Sequence, residues 1–363
     1  MAIGMTYGLS DGTFPDILAA KQLASATYLP VEGDGSIEAL GSTILLGYDI
    51  SPPISLGSAD SRGAPSRAPL HPVFGQNVVG VGVGEKMTGG EGQEREVVRF
   101  YVVRKFEPEA VPGPFRLPAR VNGFETDVIE SGDFWAVQAS VPGLRERWRP
   151  ARPGCSIGFN SAMAGTFGAL VRDASGEAHI LSCAHVLADS GRLPTGSPIF
   201  QPGLIDKGDP HDDQIGTLSY TVTLNAGVYN RMDCALARPL TPDAVISTFV
   251  PPMPPLVRPD PIAPRKGLRV HKIGRTTGLS YGVIVDPSVD IVMKYPAGKF
   301  VFRNQILVQG DGGPFSAAGD SGALLIDVAS NQAVGLHFGA ARGFSAANPL
   351  VDVLGDLAVT LIP

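Results

Sequence analysis

A mainly β chain built from barrels or sandwiches is what this sequence predicts, on three observations. Glycine and proline number 45 and 32 of 363 residues, about a fifth of the chain. Runs that favour helix are few. Short Val/Ile/Leu-rich segments recur between turn residues, the pattern of strands separated by tight connections. At 363 residues the chain exceeds one ordinary domain and is short for three large ones.

Residues 1–70 are weakly patterned. Phe14 to Ala24 is expected to form a short helix with Thr13 as its cap, and Thr43 to Tyr48 a strand. Ser51 to Pro69, rich in Pro, Ser, Gly and Ala, reads as linker. Residues 71–148 form a second, small unit, β-rich or α+β. Its Asn77–Gly84 and Val97–Arg104 segments read as paired strands, followed by Phe124–Glu130. The glycines of Val79-Gly80-Val81-Gly82-Val83-Gly84 do not make a dinucleotide fingerprint, because Glu85 stands where its third glycine belongs and no helix follows. They are expected to permit close strand packing. Nothing in this unit is catalytic, and it is assigned a guarding or partner-binding role.

Residues 149–363 divide again. Segments 155–237 and roughly 268–345 each have enough strands for a barrel, joined by the proline-crowded strap Leu240 to Lys266. Asn348-Pro349, then Leu350, Val353, Leu354 and Leu357, has a cap, a first-turn proline and helical spacing, so the chain is expected to close with a helix packed on the second barrel.

The chemistry concentrates in Ala318-Gly319-Asp320-Ser321-Gly322-Ala323-Leu324-Leu325, a serine in a glycine-flanked turn before an apolar strand. Glycines let the backbone take positive φ and let a carbonyl approach backbone N–H groups. A serine hydroxyl is a poor nucleophile near pH 7 and needs a base, which in turn needs an orienting carboxylate. Of six histidines, His185 is selected because it ends the apolar run Ile180–Ala184 among small neighbours. Asp233 is selected because it lies within the apolar segment Met232–Ala237, where a buried acid requires donors such as an imidazole N–H. The competing acids Asp206, Asp209, Asp212 and Asp213 lie in a polar loop and are expected to be solvated.

The order His185, Asp233, Ser321 resembles that of the trypsin/chymotrypsin-like serine peptidases, bacterial type. Leu181-Ser182-Cys183-Ala184-His185, Asp233-Cys234-Ala235-Leu236 and Gly319-Asp320-Ser321-Gly322-Ala323 are similar to that family's segments around the same three roles. Gly274-Arg275-Thr276-Thr277-Gly278 resembles the Gly-Ser-Thr-Thr-Gly hairpin of bacterial members, and Gly335-Leu336-His337-Phe338-Gly339 the strand that lines the specificity pocket.

The resemblance covers about residues 150–363 and implies a chymotrypsin-like double β-barrel, mainly β, with a C-terminal helix. It implies a serine endopeptidase with an oxyanion hole at the Gly319 and Ser321 N–H groups, worth about 3–4 kcal/mol per donor. Substrate contacts are implied at His337, Phe315 and Gly339. Phe315 stands where family members that prefer Arg or Lys carry an acid, which argues against that preference. His337 either selects Glu or Gln before the cut or is a strand histidine filling the pocket wall. Proline follows both Arg149 and Arg152, so tryptic activation there is not expected, and Asp320 is expected to bond locally. An inactive peptidase-fold scaffold and an esterase or acyltransferase using the same residues stay open.

Net charge is −6 with dispersed positive residues, which excludes a nucleic-acid track. The start lacks a signal-like core and no 18-residue apolar run occurs, so neither membrane insertion nor routine export is expected. Cys155, Cys183 and Cys234 are odd in number and suit a reducing, cytoplasmic setting. No cofactor or metal is expected. The expected partners are a protein or peptide substrate and a regulatory partner at the N-terminal unit.

Overall fold

A computed structural model describes residues 14–29, 77–88, 91–107, 110–135, 143–160, 162–341 and 343–363. The expected Thr13 cap, the strand over Thr43–Tyr48 and the linker over 51–69 lie outside the described residues.

Helix α1 (Phe14–Tyr28) buries Ile17, Ala20, Lys21 and Ala24 on one face. It runs beyond Ala24 because Thr27 bonds back to the Leu23 carbonyl and Tyr28 packs edge-on against Phe100, 5.1 Å between ring centres. Strands β1 (Val78–Thr88) and β2 (Glu91–Val102) form the expected antiparallel hairpin. A Cβ at Gly82 would strike the Asp286 carboxylate, and one at Gly84 the Arg99 guanidinium, so close packing explains these glycines. The short β3 (Arg120–Val121) pairs with β4 (Phe124–Glu130), which runs parallel to β2. Then comes β5 (Phe134–Trp135).

The first barrel uses β6 (Ser156–Ile157), β7 (Gly165–Thr166), β8 (Ala169–Asp173) and β9 (Ala178–Ser182). One turn of helix follows, α2 (Ala184–Leu187). Next are β10 (Pro198–Phe200), β11 (Gln214–Thr221) and β13 (Ala235–Pro239), with β12 (Tyr229–Asn230) between the last two pairing outside this barrel. The second barrel uses β14 (Arg269–Gly274), β15 (Gly278–Tyr295), β16 (Gly298–Gly310), β17 (Leu324–Asp327), β18 (Ala333–Ala341) and β19 (Phe344–Pro349). Helix α3 (Leu350–Leu357) and β20 (Val359–Leu361) end the chain.

Strand pairing supports the two-barrel expectation. The first sheet runs β10-β11-β13-β9-β8-β20, and the β6–β7 pair is tied to it where Gly158 bridges Phe200. In the second, β15–β16–β19–β18–β17–β14 returns to β15, a closed ring of six strands that leaves no free edge around its circumference. Beyond the ring the long β15–β16 hairpin continues, and β1 pairs on it at Gly80↔Ile291 and Val81↔Asp290. Ile17, Ala20 and Ala24 of α1 pack with Val81, Val98, Phe100, Val292 and Val301 in one apolar cluster. Burying each such large side chain contributes about 1.5–3 kcal/mol.

Two expectations about the C-terminal end need correction. The expected helix forms, but the chain does not end on it: β20 crosses back to pair with β8 of the first barrel. Nor does Asn348 cap that helix, whose first turn receives no side-chain bond. The Asn348 side chain is engaged elsewhere, beside Asp233.

Candidate active site

The apolar strand β9 ends at Ser182, and the following turn of helix holds His185 at the barrel rim among Cys183, Ala184 and Val186, all buried. Asp233 lies two residues before β13 and is fully buried. The β13–β9 pairing, Ala235↔Ser182, brings the two together. Asp233 Oδ1 accepts the His185 backbone N–H at 3.2 Å, and His185 Nδ1 lies 2.5 Å from Oδ2. A carboxylate only accepts, so Nδ1 carries the proton and Nε2 is left as the basic nitrogen.

Sequence reasoning missed two partners of this pair. Tyr295, at the end of β15, donates its hydroxyl to Asp233 Oδ2 at 2.7 Å, and its ring lies 5.1 Å from the imidazole. Asn348 brackets the Asp233 backbone, its Oδ1 accepting the N–H at 2.9 Å and its Nδ2 donating to the carbonyl at 3.2 Å. Burial alone would raise the Asp233 carboxyl. Electrostatic attraction to His185 and the bonds from His185 and Tyr295 outweigh it and hold the group below the ordinary carboxylate value. The Tyr295 hydroxyl is pushed well above the tyrosine range, first by burial and then by the Asp233 charge, so it stays a donor.

Ser321 lies across the seam, in a turn with Gly319 at φ 93° and Gly322 at φ 96°. Only glycine takes these angles without strain. A Cβ at Gly319 would also strike Arg275 and Thr276, and one at Gly322 would strike Ser182 and the Thr166 carbonyl. Thr166 joins the barrels here: its N–H donates to the Ser321 carbonyl at 2.8 Å and its hydroxyl to the Gly319 carbonyl at 2.9 Å. Neither the Gly319 nor the Ser321 N–H finds an acceptor among the described residues. The Ser321 hydroxyl is turned onto the Phe338 carbonyl, 3.4 Å away, and not onto His185. The halves nonetheless abut, since Cys183 Sγ lies 3.2 Å from the His337 carbonyl, which also accepts the Gly322 N–H at 2.7 Å.

Asp320 finds only part of its bonding locally: the Ala317 N–H is three residues away, and its other partners, on β14 and the turn after it, are 43–48 residues away. It accepts from Lys272 Nζ at 2.9 Å, from Thr277 Oγ1 at 2.6 Å and from the N–H groups of Ala317, Thr276 and Thr277. Burial opposes its charge, but Lys272 and these donors prevail and lower its pKa. Lys272 is fully buried, and desolvation depresses it against the pull of Asp320.

His337, on β18, is buried, with Nε2 2.8 Å from Ser316 Oγ, which in turn lies 2.6 Å from Ser345 Oγ. Its Nδ1 is buried without a partner among the described residues. Burial, reinforced by the Lys272 charge, lowers its pKa to about 3, so the ring is neutral. Gly339 is buried two residues on, at a register shift between β18 and β19. Phe315 packs in the second barrel's own core, with Lys272 Nζ 5.3 Å from its ring centre.

Asp206 and Asp213 are not solvated as expected. Asp206 takes a two-pronged bond from buried Arg275, Nε to Oδ2 and Nη2 to Oδ1, both 2.5 Å, and Asp213 accepts from Arg147 and Arg149. These guanidiniums remove the cost of burying the acids.

Ligand atoms of Cys183, His185 and Asp233 lie close enough to hold a cation, as do those of Asp173, Glu177 and His179. In the first group burial, and then the Asp233 charge, keep the Cys183 thiol protonated, and Asp233 is committed to His185. In the second, both His179 nitrogens are engaged, by Asp173 and Ser219. Neither donor set suits a metal. All three cysteines are buried and unbridged. No helix among the described residues is long and apolar enough to cross a membrane.

No family model matches this chain, and no curated protein matches it in sequence. Solved structures similar to it include proteases. A glutamic acid specific serine protease described as using a histidine triad in substrate binding is 16% identical, covering 58% of this chain and 100% of its own at a TM-score of 0.43. A Nocardiopsis protease is 16% identical over 59% of this chain and 100% of its own, TM-score 0.42. A Cellulomonas bogoriensis chymotrypsin is 20% identical over 58% and 97%, TM-score 0.39. The double-barrel assignment rests on the strand order given above.

Proposed function

We propose that this protein is a serine endopeptidase acting through His185, Asp233 and Ser321. The observation that carries the reading is the buried Asp233–His185 pair, 2.5 Å apart, at a seam with a glycine-flanked serine turn whose Gly319 and Ser321 N–H groups find no acceptor among the described residues. In this reading the Ser321 hydroxyl turns from Phe338 toward His185 Nε2, which takes its proton as Oγ attacks a peptide carbonyl. The oxyanion is held by the Gly319 and Ser321 N–H groups. His185 then protonates the leaving amine while Asp233 steadies its transient charge, and water repeats the sequence on the acyl-enzyme.

The neutral His337 with its unpartnered Nδ1, backed by Ser316 and Ser345, supports a P1 preference for Glu or Gln through hydrogen bonding. The free state of the three cysteines supports a reducing, cytoplasmic setting. One observation favours the rival reading of an inactive scaffold: the Ser321 hydroxyl bonds Phe338 in place of His185. A fluorophosphonate probe separates the two. Labelling that is lost in Ser321→Ala supports the hydrolase; an unlabelled, folded protein overturns it. Peptide-library cleavage then distinguishes a peptidase from an esterase and reads P1.

A further inference from the structure

The serine turn is pinned at every carbonyl from Ala317 to Ser321. The Ala317 carbonyl accepts the Asp320 N–H at 3.1 Å, and the Asp320 carbonyl accepts the Ala323 N–H at 2.9 Å. Thr166 takes the carbonyls of Gly319 and Ser321. The Ala318 carbonyl goes to Thr276, in the turn after β14, whose hydroxyl donates to it.

That last bond bears on the Gly319 N–H. The Ala318–Gly319 peptide is trans and planar, so its carbonyl and its N–H point in opposite directions and fixing one fixes the other. Gly319 does not choose between the two orientations, because glycine takes positive and negative φ about equally well. Were the peptide to turn over, the N–H would face Thr276 and the Ala318 oxygen would take its place. On the peptidase reading, which this inference rests on, that place belongs to the oxyanion, and a carbonyl dipole there would repel it.

Thr276 is held to its donor role by Arg275. A hydroxyl has one proton to give, and a guanidinium only donates. Arg275 Nη1 lies 3.3 Å from Thr276 Oγ1, so the hydroxyl accepts there and its own proton is left for the Ala318 carbonyl. Arg275 is fixed in turn by its two-pronged bond to Asp206, a first-barrel acid that also accepts the Ser156 hydroxyl at 2.5 Å. Both Arg275 and Thr276 are buried, which shields these bonds from solvent. We propose that Thr276 is a positioning residue for the oxyanion hole: its hydroxyl, with its proton directed by Arg275 and Asp206, holds the Gly319 N–H toward the reacting carbonyl.

The test uses the full chain, titrated with the fluorophosphonate, and a peptide substrate with P1 fixed from library cleavage. Thr276→Val keeps the side-chain shape and the backbone N–H that Asp320 accepts, and removes only the donor. It is expected to lower kcat about a hundredfold, the loss typical of removing one oxyanion donor, with KM within about threefold of wild type. Thr276→Ser, which returns the hydroxyl, is expected to recover kcat to within about threefold. A peptide aldehyde separates aim from packing. Ser321 Oγ bonds its carbonyl carbon, the C=O π pair moves onto the oxygen and the hydroxyl proton passes to His185, so the adduct depends on the oxyanion hole. Its Ki should rise in Thr276→Val by about the factor by which kcat/KM falls.

A kcat within about threefold of wild type, a loss confined to KM, an unchanged aldehyde Ki, or a serine variant as slow as the valine one overturns the proposal. Should Thr276→Val not fold, Thr276→Cys, whose thiol is a weaker donor, is read in the same way with an expected fall of about tenfold, and a wild-type kcat in that variant overturns the proposal too. A wild type that takes no label removes the peptidase reading and this inference with it. A labelled wild type beside an unimpaired Thr276→Val removes this inference alone.

Discussion

Each barrel buries one carboxylate completely beside the seam, Asp233 in the first and Asp320 in the second, and the two are furnished in opposite ways. Asp320 is given a permanent cation, Lys272, and four further donors from the adjacent turns. Its charge is neutralised whether or not anything reacts. Asp233 is given an imidazole, a tyrosine hydroxyl and a backbone N–H. No full positive charge reaches it until His185 takes a second proton. Equal burial of the same residue type thus yields a lock in one barrel and a charge held in reserve in the other, and the partner's ordinary pKa decides which.

The contrast breaks first at Asp233. Asp233→Asn is expected to keep the fold, because the amide still fits between His185 and Tyr295, but to lower kcat/KM by roughly four orders of magnitude by allowing the wrong tautomer. Steady-state kinetics on titrated enzyme checks this, and a loss within tenfold would remove the reserve role. Lys272→Met tests the lock. Leaving Asp320 buried without its cation is expected to cost about 3–5 kcal/mol of stability, read as a large fall in denaturation midpoint. The Lys272→Met/Asp320→Asn pair should recover part of it, since the amide oxygen still accepts the Thr276 and Thr277 N–H groups.

What the sequence disclosed divides along the same line. The His185–Asp233 pair and the glycine-flanked Ser321 turn were legible because each carries a local signature: a polar residue set in an apolar run, or a serine between glycines. The strands around them were legible from alternation and turn residues. The supporting groups leave no such trace, because their partners are remote. Tyr295 meets Asp233 across 62 positions, Asn348 across 115, Lys272 meets Asp320 across 48, and Thr166 reaches Gly319 across 153. Asn348 even mimics a helix cap, since Asn before Pro is what a cap looks like locally. Asp206 sits in a loop of polar residues, and nothing nearby announces Arg275, 69 residues later.

A smaller effect sharpens the Asp233 side. Tyr295→Phe deletes one bond to a charged acceptor, worth about 1.5–3 kcal/mol. We expect kcat/KM to fall about tenfold or more, mostly in kcat, because the hydroxyl touches the carboxylate and not the substrate. A change confined to KM would place Tyr295 in substrate binding instead.

The smallest effect concerns His337, the neutral ring between the two carboxylates' surroundings. Its pKa in the fold, about 3, lies below the ordinary histidine value near 6.5, so between those pH values the unfolded chain binds the proton and the folded chain does not. Stability must therefore fall as pH drops through that window. Asp233 and Asp320 have depressed pKa values, so their contribution is lost only lower, as pH falls below the ordinary carboxylate range. Buried His271, lowered by desolvation, adds to the His337 trend, whereas Asp286, raised by burial to about 6, opposes it. The difference between wild type and His337→Gln isolates the one ring: denaturation midpoints measured from pH 7 to pH 4 should fall less steeply in the variant. Parallel curves would mean that His337 takes up its proton in the folded state, and the neutral hydrogen-bonding role given to it at P1 would be lost.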